Sequence, residues 1–215
     1  MFSYTIAHDY GSAPNPFWGI CTLTICKPVT RRVAKIGDWV AGLRENSIVY
    51  AMRITDKKTF ADYDEYCRQY LPEKIPDWSS HDFRRRVGDC IYDYLVSNPP
   101  KLRRSIHSKK NVTTDIGGLY ALLSNDFYYF GSQPIILPAN LKPIIHKRGH
   151  KSDANAPYFE SFINWIRVQH KAHNNPIADP ELRDELADPK CVQSKCAKHD
   201  RKEAELDEQQ ANECS

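Results

Sequence analysis

Short alternating runs of apolar residues, rather than long ones, constrain what this chain can fold into. In CTLTI, Cys21, Leu23 and Ile25 fall on one face and threonines on the other, which is typical of a half-buried strand. Residues 47–55, SIVYAMRIT, alternate in the same way, and residues 36–40 combine a Gly-Asp turn with the start of another strand. With the later runs LYALLSNDFYYFG and PIILP, the sequence predicts about six short strands.

Helical spacing is confined to a few segments. Thr59, with Asp62 three residues later, resembles the capping box of a helix start. Residues 157–172 carry the clearest amphipathic pattern, with an apolar stripe on one side. Short strands, irregular connections and few helices favour an α+β fold, built on a curved sheet or small β-barrel with peripheral helices.

The apolar content is enough for one domain and ends before the chain does. Of the 215 residues, 41% are hydrophobic, and this content falls sharply after residue 178. We therefore expect a single α+β domain and a tail that is either disordered, because it lacks apolar residues, or a loosely attached helix. The predicted organisation is a domain over 1–178, its barrel-like part in 1–145, its C-terminal helix at 157–172, and a charged tail over 179–215.

Charge is distributed unevenly along the chain. The 30 basic and 27 acidic residues give a net charge of +3. From Asp179 onward there are 11 acidic and 6 basic residues, so the tail carries −5 and the preceding residues carry +8. A basic body with an acidic tail favours a polyanionic partner, either DNA or a nucleotide, with RNA as an alternative. The other interpretation is a solvated surface with a solubilising tail.

Cysteine usage and hydropathy indicate the compartment. The chain has seven cysteines, and Cys21, Cys26, Cys67 and Cys90 lie inside apolar patterns, where cysteine behaves as a small hydrophobe. This usage favours a reducing compartment, so we predict a cytoplasmic protein. No apolar run approaches the roughly 20 residues of a membrane span, and the N-terminal residues do not resemble a secretion signal.

Common catalytic and metal-binding motifs are missing from the sequence. It contains no glycine-rich phosphate loop, no G-x-S-x-G, no H-E-x-x-H and no zinc-deaminase signature. Cys191, Cys196, His199 and Cys214 are metal-ligating residue types, but their loose spacing and polar flanks argue against a site. We therefore expect neither a metal nor a cofactor.

Basic clusters and aromatic residues suggest contact with nucleic acid. Clustered lysines and arginines neutralise phosphates, although each cluster alone is more often a solvated face. The candidate phosphate contacts are Arg31, Arg32, Lys35, Lys101, Arg103, Arg104, Lys109 and Lys110. Flat rings at a pocket edge stack on bases, although core packing is the alternative for each ring. The candidate stacking residues are Phe17, Trp18, Trp39, Phe127 and Tyr129.

The first block, HDYGSAPNPFWGICTLTICKPVTRRVAKIGDWVAG, resembles the opening signature of the nucleotide modification associated domain 2 family. The segments IVYAMRIT, VGDCIYDY and LLSNDFYYFGSQPIILP resemble its other blocks in the same order, so the resemblance covers about residues 4–145. It implies a bacterial or phage system that makes or handles modified DNA bases. It supplies no catalytic residues.

A Gly-Asp turn into a strand, followed by IVYAMRIT, is similar to the PUA-like group that includes ASCH, EVE and YTH domains. That resemblance implies a barrel whose pocket holds a nucleobase, often a modified one, between aromatic rings. Trp18 and Trp39 then become candidate ring walls. Asn15 or Asn125 becomes the group that reads the base edge, since an amide both donates and accepts. For both asparagines, turn formation is the alternative.

The function predicted from these patterns is recognition of a modified nucleotide or nucleic acid, with the base stacked in an aromatic pocket and basic contacts to phosphate. One alternative is a hydrolase or transferase of nucleotide modification, with Asp9, Asp38 or Asp126 as the acid or base. Another is a protein-interaction module that uses the acidic tail. The sequence leaves the oligomeric state open.

Overall fold

The computed structural model describes residues 1–146, 150–188 and 190–198. Its strands are short, as the alternating runs predict. They are β1 (Phe2–Thr5), β2 (Cys21–Leu23), β3 (Trp39–Arg44), β4 (Ser47–Arg53), β5 (Asp56–Thr59), β6 (Tyr92–Asp93), β7 (Lys101–Leu102), β8 (Tyr120–Ser124), β9 (Asp126–Tyr129), β10 (Ile135–Ile136) and β11 (His150–Lys151).

The helices are short as well, and the last two follow β11. They are α1 (Pro28–Val33), α2 (Phe60–Tyr70), α3 (Phe83–Arg86), α4 (Val112–Gly117), α5 (Phe159–Arg167) and α6 (190–198). Single 3-10 turns occupy Pro72–Lys74, Lys109–Asn111, Ala139–Ile144, Asp153–Tyr158, His170–Ala172 and Arg183–Ala187. The predicted capping of α2 is confirmed, because the Thr59 side chain accepts a hydrogen bond from the backbone N–H of Asp62 at 3.2 Å.

The main sheet has six strands and is mixed. Its order is β10-β4-β3-β1-β11, and β9 also pairs with β4. Strands β3 and β4 form a long antiparallel pair with a register shift between Gly42 and Leu43. Strand β1 lies parallel to β3, with Tyr4 opposite Gly42. Gly42 leaves the room that the Tyr50 ring of β4 occupies, because a Cβ atom at position 42 would lie 2.3 Å from that ring.

The remaining strands form two smaller antiparallel sheets, β2-β8-β5 and β6-β7. The chain passes from β8 to β9, and hence from one sheet to the other, at the exposed Asn125. The α+β class is therefore confirmed. The PUA-like barrel is not confirmed, because in the part of the chain described here the strand orders are those of open sheets. The reason is the split at Asn125, which places β8 and β9 in different sheets.

Residues 179–188 and 190–198 include a helix, one of the two predicted alternatives for the tail, and this part of the chain packs on the body. Leu186 and Val192 are buried in the same apolar cluster as Tyr10 and Phe17, together with Cys196 from α6. The apolar residues of this segment are few, but they recur at helical spacing in α6 and so reach the body together. Residues 199–215 of the predicted tail lie outside the described residues.

Candidate functional site

A small cavity opens between the end of β1, the loop after β2, the loop around His107 and α6. It has a volume of about 40 Å³. Most of its wall is apolar, and the lining residues that carry reactive or hydrogen-bonding side chains include Thr5, His8, Tyr10, Ser12, Cys26, Lys27, His107 and Cys196. A space of this size holds a few waters or one small chemical group.

Three of the side chains at or behind this cavity form a connected series. The Sγ atom of Cys26 lies 3.6 Å from Nε2 of His107. On the other side of the ring, Nδ1 of His107 lies 2.7 Å from Oδ2 of Asp115. A carboxylate only accepts hydrogen bonds, so Nδ1 of His107 carries a proton, and Nε2 is the ring nitrogen that faces the thiol.

Asp115 is buried, and both of its carboxylate oxygens accept hydrogen bonds. Its Oδ2 also accepts a hydrogen bond from the Tyr92 hydroxyl at 2.9 Å, and its Oδ1 accepts one from the backbone N–H of Cys26 at 3.0 Å. Burial alone would raise the pKa of Asp115, but the charge and hydrogen bond of His107, with Arg31 nearby, outweigh burial and lower that pKa below its ordinary value. Asp115 is therefore an anion that fixes both the His107 ring and the Cys26 backbone.

The backbone at the thiol is held in an uncommon conformation. Cys26 has φ 58° and Lys27 has φ 43°, two successive left-handed residues that are not glycine. Such conformations cost roughly 1–3 kcal/mol each and cluster at functional sites. The loop needs this conformation to place the Cys26 side chain against His107 while α1 begins directly after Lys27.

Arg31 maintains this loop from within the protein. Its guanidinium donates to three backbone carbonyls: Cys26 O at 2.6 Å, Tyr120 O at 3.0 Å and Asp115 O at 2.6 Å. The side chain is fully buried. A Cβ atom at Gly118 would lie 2.3 Å from the guanidinium, so Gly118 leaves the room that Arg31 occupies. Arg31 thus ties both ends of the Cys26–His107–Asp115 series to one another.

Positive charge and hydroxyl groups complete the cavity. The Lys27 ammonium lies 4.2 Å from the centre of the Tyr4 ring, a cation–π contact, and the hydroxyls of Tyr4 and Tyr50 are 2.6 Å apart. Tyr10 donates to Glu185 Oε2 at 2.8 Å, and burial first, then this hydrogen bond, raises the pKa of the Tyr10 hydroxyl well above its ordinary range. A cationic side chain beside a thiol can stabilise negative charge that develops during a reaction.

Sequence reasoning did not find this series. Cys26 was interpreted as a small hydrophobe, and neither His107 nor Asp115 was among the candidate residues. His107 lies 81 residues after Cys26, so no spacing motif links them. The one local signal was Cys26-Lys27-Pro28, where the strand pattern stops abruptly at a cysteine.

The predicted phosphate contacts separate into structural and exposed side chains. Arg31 is buried on carbonyls, Arg32 donates to Gly117 O at 3.0 Å, and Arg103 pairs with Asp64 at 2.7 Å. These three hold the fold together, and the structure does not bring them to one surface for a ligand. The remaining candidates, Lys35, Lys101, Arg104, Lys109 and Lys110, are exposed.

Four of the five predicted stacking rings are buried. Phe127 and Tyr129 have no exposed surface, Trp39 retains 2% and Phe17 retains 6%. Trp39 packs on Tyr128 and Phe162 in the cluster under α5, whereas Phe17 packs edge-on against Phe83. The structure therefore does not bring these rings together around an open pocket, because each completes an apolar core.

Trp18 differs from the other rings. It is half-buried, and the Arg84 guanidinium lies 4.9 Å from its ring centre. Trp78 carries Arg104 in a similar position, at 5.7 Å. In both tryptophans the indole Nε1 is buried and has no hydrogen-bond partner. Among the predicted stacking rings, Trp18 alone presents a face near the surface.

Neither of the two candidate asparagines lines the cavity at Cys26. Asn15 is buried, donates to Val87 O at 2.9 Å, and accepts from the Lys74 ammonium at 2.7 Å. Asn125 is exposed in the turn between β8 and β9, and its backbone N–H donates to the Thr55 hydroxyl at 3.1 Å. In this structure Asn15 is part of a buried polar network, and Asn125 forms the turn that was its alternative interpretation.

The three aspartates considered as catalytic acids or bases also have structural partners. Asp9 is buried and accepts from the Tyr129 hydroxyl at 2.7 Å, and burial raises the pKa of its carboxyl. Asp38 accepts from the backbone N–H of Lys35 at 2.9 Å within a turn, and Asp126 pairs with His173 at 3.1 Å. None of these acids lines the cavity at Cys26.

A buried ammonium is a further feature that sequence reasoning missed. Lys74 has no exposed surface and donates to Asn15, to Ile20 O at 2.9 Å and to the Thr22 hydroxyl at 3.0 Å. The same hydroxyl donates to Asp89 Oδ2 at 2.6 Å, so Lys74 and Asp89 share one buried network. Burial lowers the pKa of Lys74 and raises that of Asp89. The network joins β2 to the segments after α2 and α3.

A comparison with models of known protein families gives a match, which covers most of the chain. The model of nucleotide modification associated domain 2 matches residues 1–186. The chain belongs to this family. The match covers the Cys26–His107–Asp115 series and extends well past residue 145, through α5 to the 3-10 turn at Arg183–Ala187. No curated protein and no solved structure matches the chain.

Membership in the nucleotide modification associated domain 2 family indicates a role associated with nucleotide modification. Within the described part of the chain, no helix is long and apolar enough to span a membrane. Among those same residues, no group of three or more His, Cys, Asp or Glu side chains is arranged to hold a metal ion. Cys26, His107 and Asp115 form a line of contacts rather than converging on one point.

Proposed function

We propose that this protein is a thiol-dependent enzyme of nucleotide modification in which Cys26 is the nucleophile. The observation that carries the proposal is the series of contacts at 3.6 Å and 2.7 Å that joins Cys26, His107 and Asp115 beside a cavity. A nucleophile, a base within hydrogen-bond reach and a third group that orients the base make up the general pattern of covalent catalysis.

The first step moves a proton and forms one bond. Nε2 of His107 takes the Cys26 proton, and the sulfur attacks an electrophilic carbon of the nucleotide substrate. The bond from that carbon to its leaving group breaks, and the leaving group departs with the proton that His107 now holds. Asp115 stabilises the imidazolium between these events, and the Lys27 charge at the cavity wall stabilises the negative charge that develops on the substrate.

The second step restores the thiol. Water, or an acceptor hydroxyl or amine, attacks the carbon held by sulfur, with His107 taking its proton. The carbon–sulfur bond breaks and the sulfur recovers a proton from His107. Water gives hydrolysis and another acceptor gives transfer, and these are the two reaction types considered from the sequence.

The test is turnover on a panel of ordinary and modified nucleotides, followed by mass spectrometry of the products. The proposal predicts that Cys26→Ser and His107→Gln each lower the rate at least about a hundredfold for a substrate that the wild type converts. Cys191→Ser is the matched control, since Cys191 is exposed and outside the cavity. Full activity of Cys26→Ser would refute the proposed role.

Base recognition remains a second candidate because of Trp18. Its half-buried ring and the Arg84 guanidinium above it provide a stacking face with a positive charge beside it. Trp18→Ala should weaken binding of oligonucleotides with a preferred modified base, and leave affinity for plain DNA largely intact. Equal loss on all oligonucleotides would count against a base-reading surface.

A further inference from the structure

A second, larger pocket lies on the other side of α6 from Cys26. It has a volume of about 590 Å³ and is lined by the loop at Ser108 and Lys110 and by residues 190–198. This volume falls in the range of small-molecule sites, whereas the 40 Å³ cavity at Cys26 holds only a small group. Any nucleotide-sized ligand therefore has more room in this pocket than at the thiol.

The polar lining of this pocket is cationic. Lys110, Lys190 and Lys198 supply three ammonium groups, and Ser194 and Gln193 add neutral polar groups. No acidic side chain lines the pocket within the described ranges. Asp188 is nearby in sequence, but its Oδ1 accepts from the backbone N–H groups of Lys190 and Cys191 at 3.1 and 3.2 Å, at the start of α6.

The pocket and the Cys26 cavity share their walls. Cys196 of α6 faces the Cys26 cavity, while Gln193 and Ala197 of the same helix face the lysine pocket. The Gln193 amide donates to Ser105 O at 2.8 Å and to His107 O at 3.5 Å. A ligand in the lysine pocket therefore contacts the helix and the loop that hold His107 in place.

We propose that this lysine pocket binds the phosphate chain of a nucleoside di- or triphosphate. Three cations around one compact pocket match the concentrated charge of two or three linked phosphates. A nucleic-acid backbone spreads one charge per nucleotide and favours a long basic track instead. The inference goes beyond the proposed thiol chemistry, because binding in this pocket requires no reaction at Cys26.

The test is calorimetric titration of the full chain with inorganic triphosphate, 2′-deoxycytidine 5′-triphosphate, deoxycytidine and a 12-nucleotide oligodeoxynucleotide without terminal phosphate. The test variant is K110Q/K190Q/K198Q. The charge-matched control is K142Q/R167Q/K171Q, whose three side chains are exposed and lie outside the pocket. Cys26→Ser serves as a third variant, which separates binding from chemistry.

We expect both triphosphates to bind the wild type, Cys26→Ser and the control triple alike, and to bind the lysine-pocket triple at least about tenfold more weakly. If Cys26→Ser kept both triphosphate binding and the wild-type rate of turnover, the thiol proposal would be refuted and the phosphate-pocket proposal would stand. Equal triphosphate affinity of the two triple variants would overturn the pocket assignment. Binding of the oligonucleotide alone, lost in the lysine-pocket triple, would overturn it in favour of a nucleic-acid backbone.

Discussion

The Sγ atom of Cys26 lies 3.6 Å from Nε2 of His107, although 81 residues separate them in the sequence. Strand β2 delivers Cys26 to the cavity, and the segment between β7 and α4 delivers His107. Asp115 lies in α4, and its carboxylate accepts a hydrogen bond from Nδ1 of His107 at 2.7 Å. The relationship makes the reactivity of one thiol depend on one imidazole, and this dependence can be measured without knowing the substrate.

Replacing His107 should slow alkylation of Cys26 selectively. In the wild type, His107 can take the thiol proton and leave the reactive thiolate. We expect His107→Gln to lower the rate of modification of Cys26 by iodoacetamide near pH 7 at least about tenfold. Peptide mass spectrometry follows each cysteine separately, so exposed Cys191 is an internal control whose rate stays constant. A matching slowdown at both cysteines would instead indicate a global effect.

Asp115 should contribute stability that depends on acid pH. Its pKa lies below the ordinary value of 3.8 in the folded state, so its stabilising contribution is present above that value and is lost as pH falls through the lower folded pKa. The difference in unfolding free energy between wild type and Asp115→Asn should therefore narrow below about pH 4. Urea denaturation at pH 3, 5 and 7 measures it. Exposed Asp153→Asn should show no such trend.

Loss of the Lys74 ammonium should destabilise the protein strongly. Lys74→Met removes the hydrogen bonds that the ammonium donates to the carbonyl oxygens of Asn15 and Ile20, and it removes the compensating charge near buried Asp89. Breaking a buried charge pair costs about 3–5 kcal/mol. Chemical denaturation should show a loss of this size, whereas Lys35→Met at an exposed position should change the unfolding free energy by less than about 0.5 kcal/mol. Comparable stability of the two variants would show that the Lys74 network contributes little.

Arg31 should behave as a structural residue and not as a phosphate contact. Lysine cannot reproduce three hydrogen bonds to the carbonyls of Cys26, Tyr120 and Asp115. We expect Arg31→Lys to lower the unfolding free energy by roughly 2–4 kcal/mol. Arg32→Lys, at a half-buried position where the guanidinium donates to Gly117 O, should lower the unfolding free energy by less. A stable Arg31→Lys variant that lost only affinity for anions would restore the original interpretation.

Local patterns predicted the local elements. The alternation in CTLTI and SIVYAMRIT corresponds to β2 and β4, and Thr59 begins α2 as expected. These elements depend on spacing between neighbouring residues, which a single sequence shows directly. The sheet partners depend on contacts between distant segments. The separation of β8 from β9 at Asn125, which opens the expected barrel into two sheets, has no such local signature.

The side chains of the candidate site were harder to predict than the strands, because their burial and partners depend on contacts between segments that are distant in the sequence. Arg31 and Arg32 have the same local pattern as a surface cluster, yet Arg31 is buried because three carbonyls from separate segments converge on it. Phe127 and Tyr129 share one face of β9 and fill one apolar cluster, whereas Tyr128 faces the other side and fills a second cluster. Composition shows that a ring or a cation is present, but burial and partners decide whether it meets a ligand.

The most direct test of the central claim is intact-mass spectrometry of the protein after brief reaction with nucleotide substrates and rapid acid quenching. The account predicts a mass increase that equals the transferred group, that maps to Cys26 after digestion, and that is absent from Cys26→Ser. His107→Gln should form the adduct more slowly. Turnover of a nucleotide by Cys26→Ser at the wild-type rate, with no adduct on any cysteine, would contradict the account.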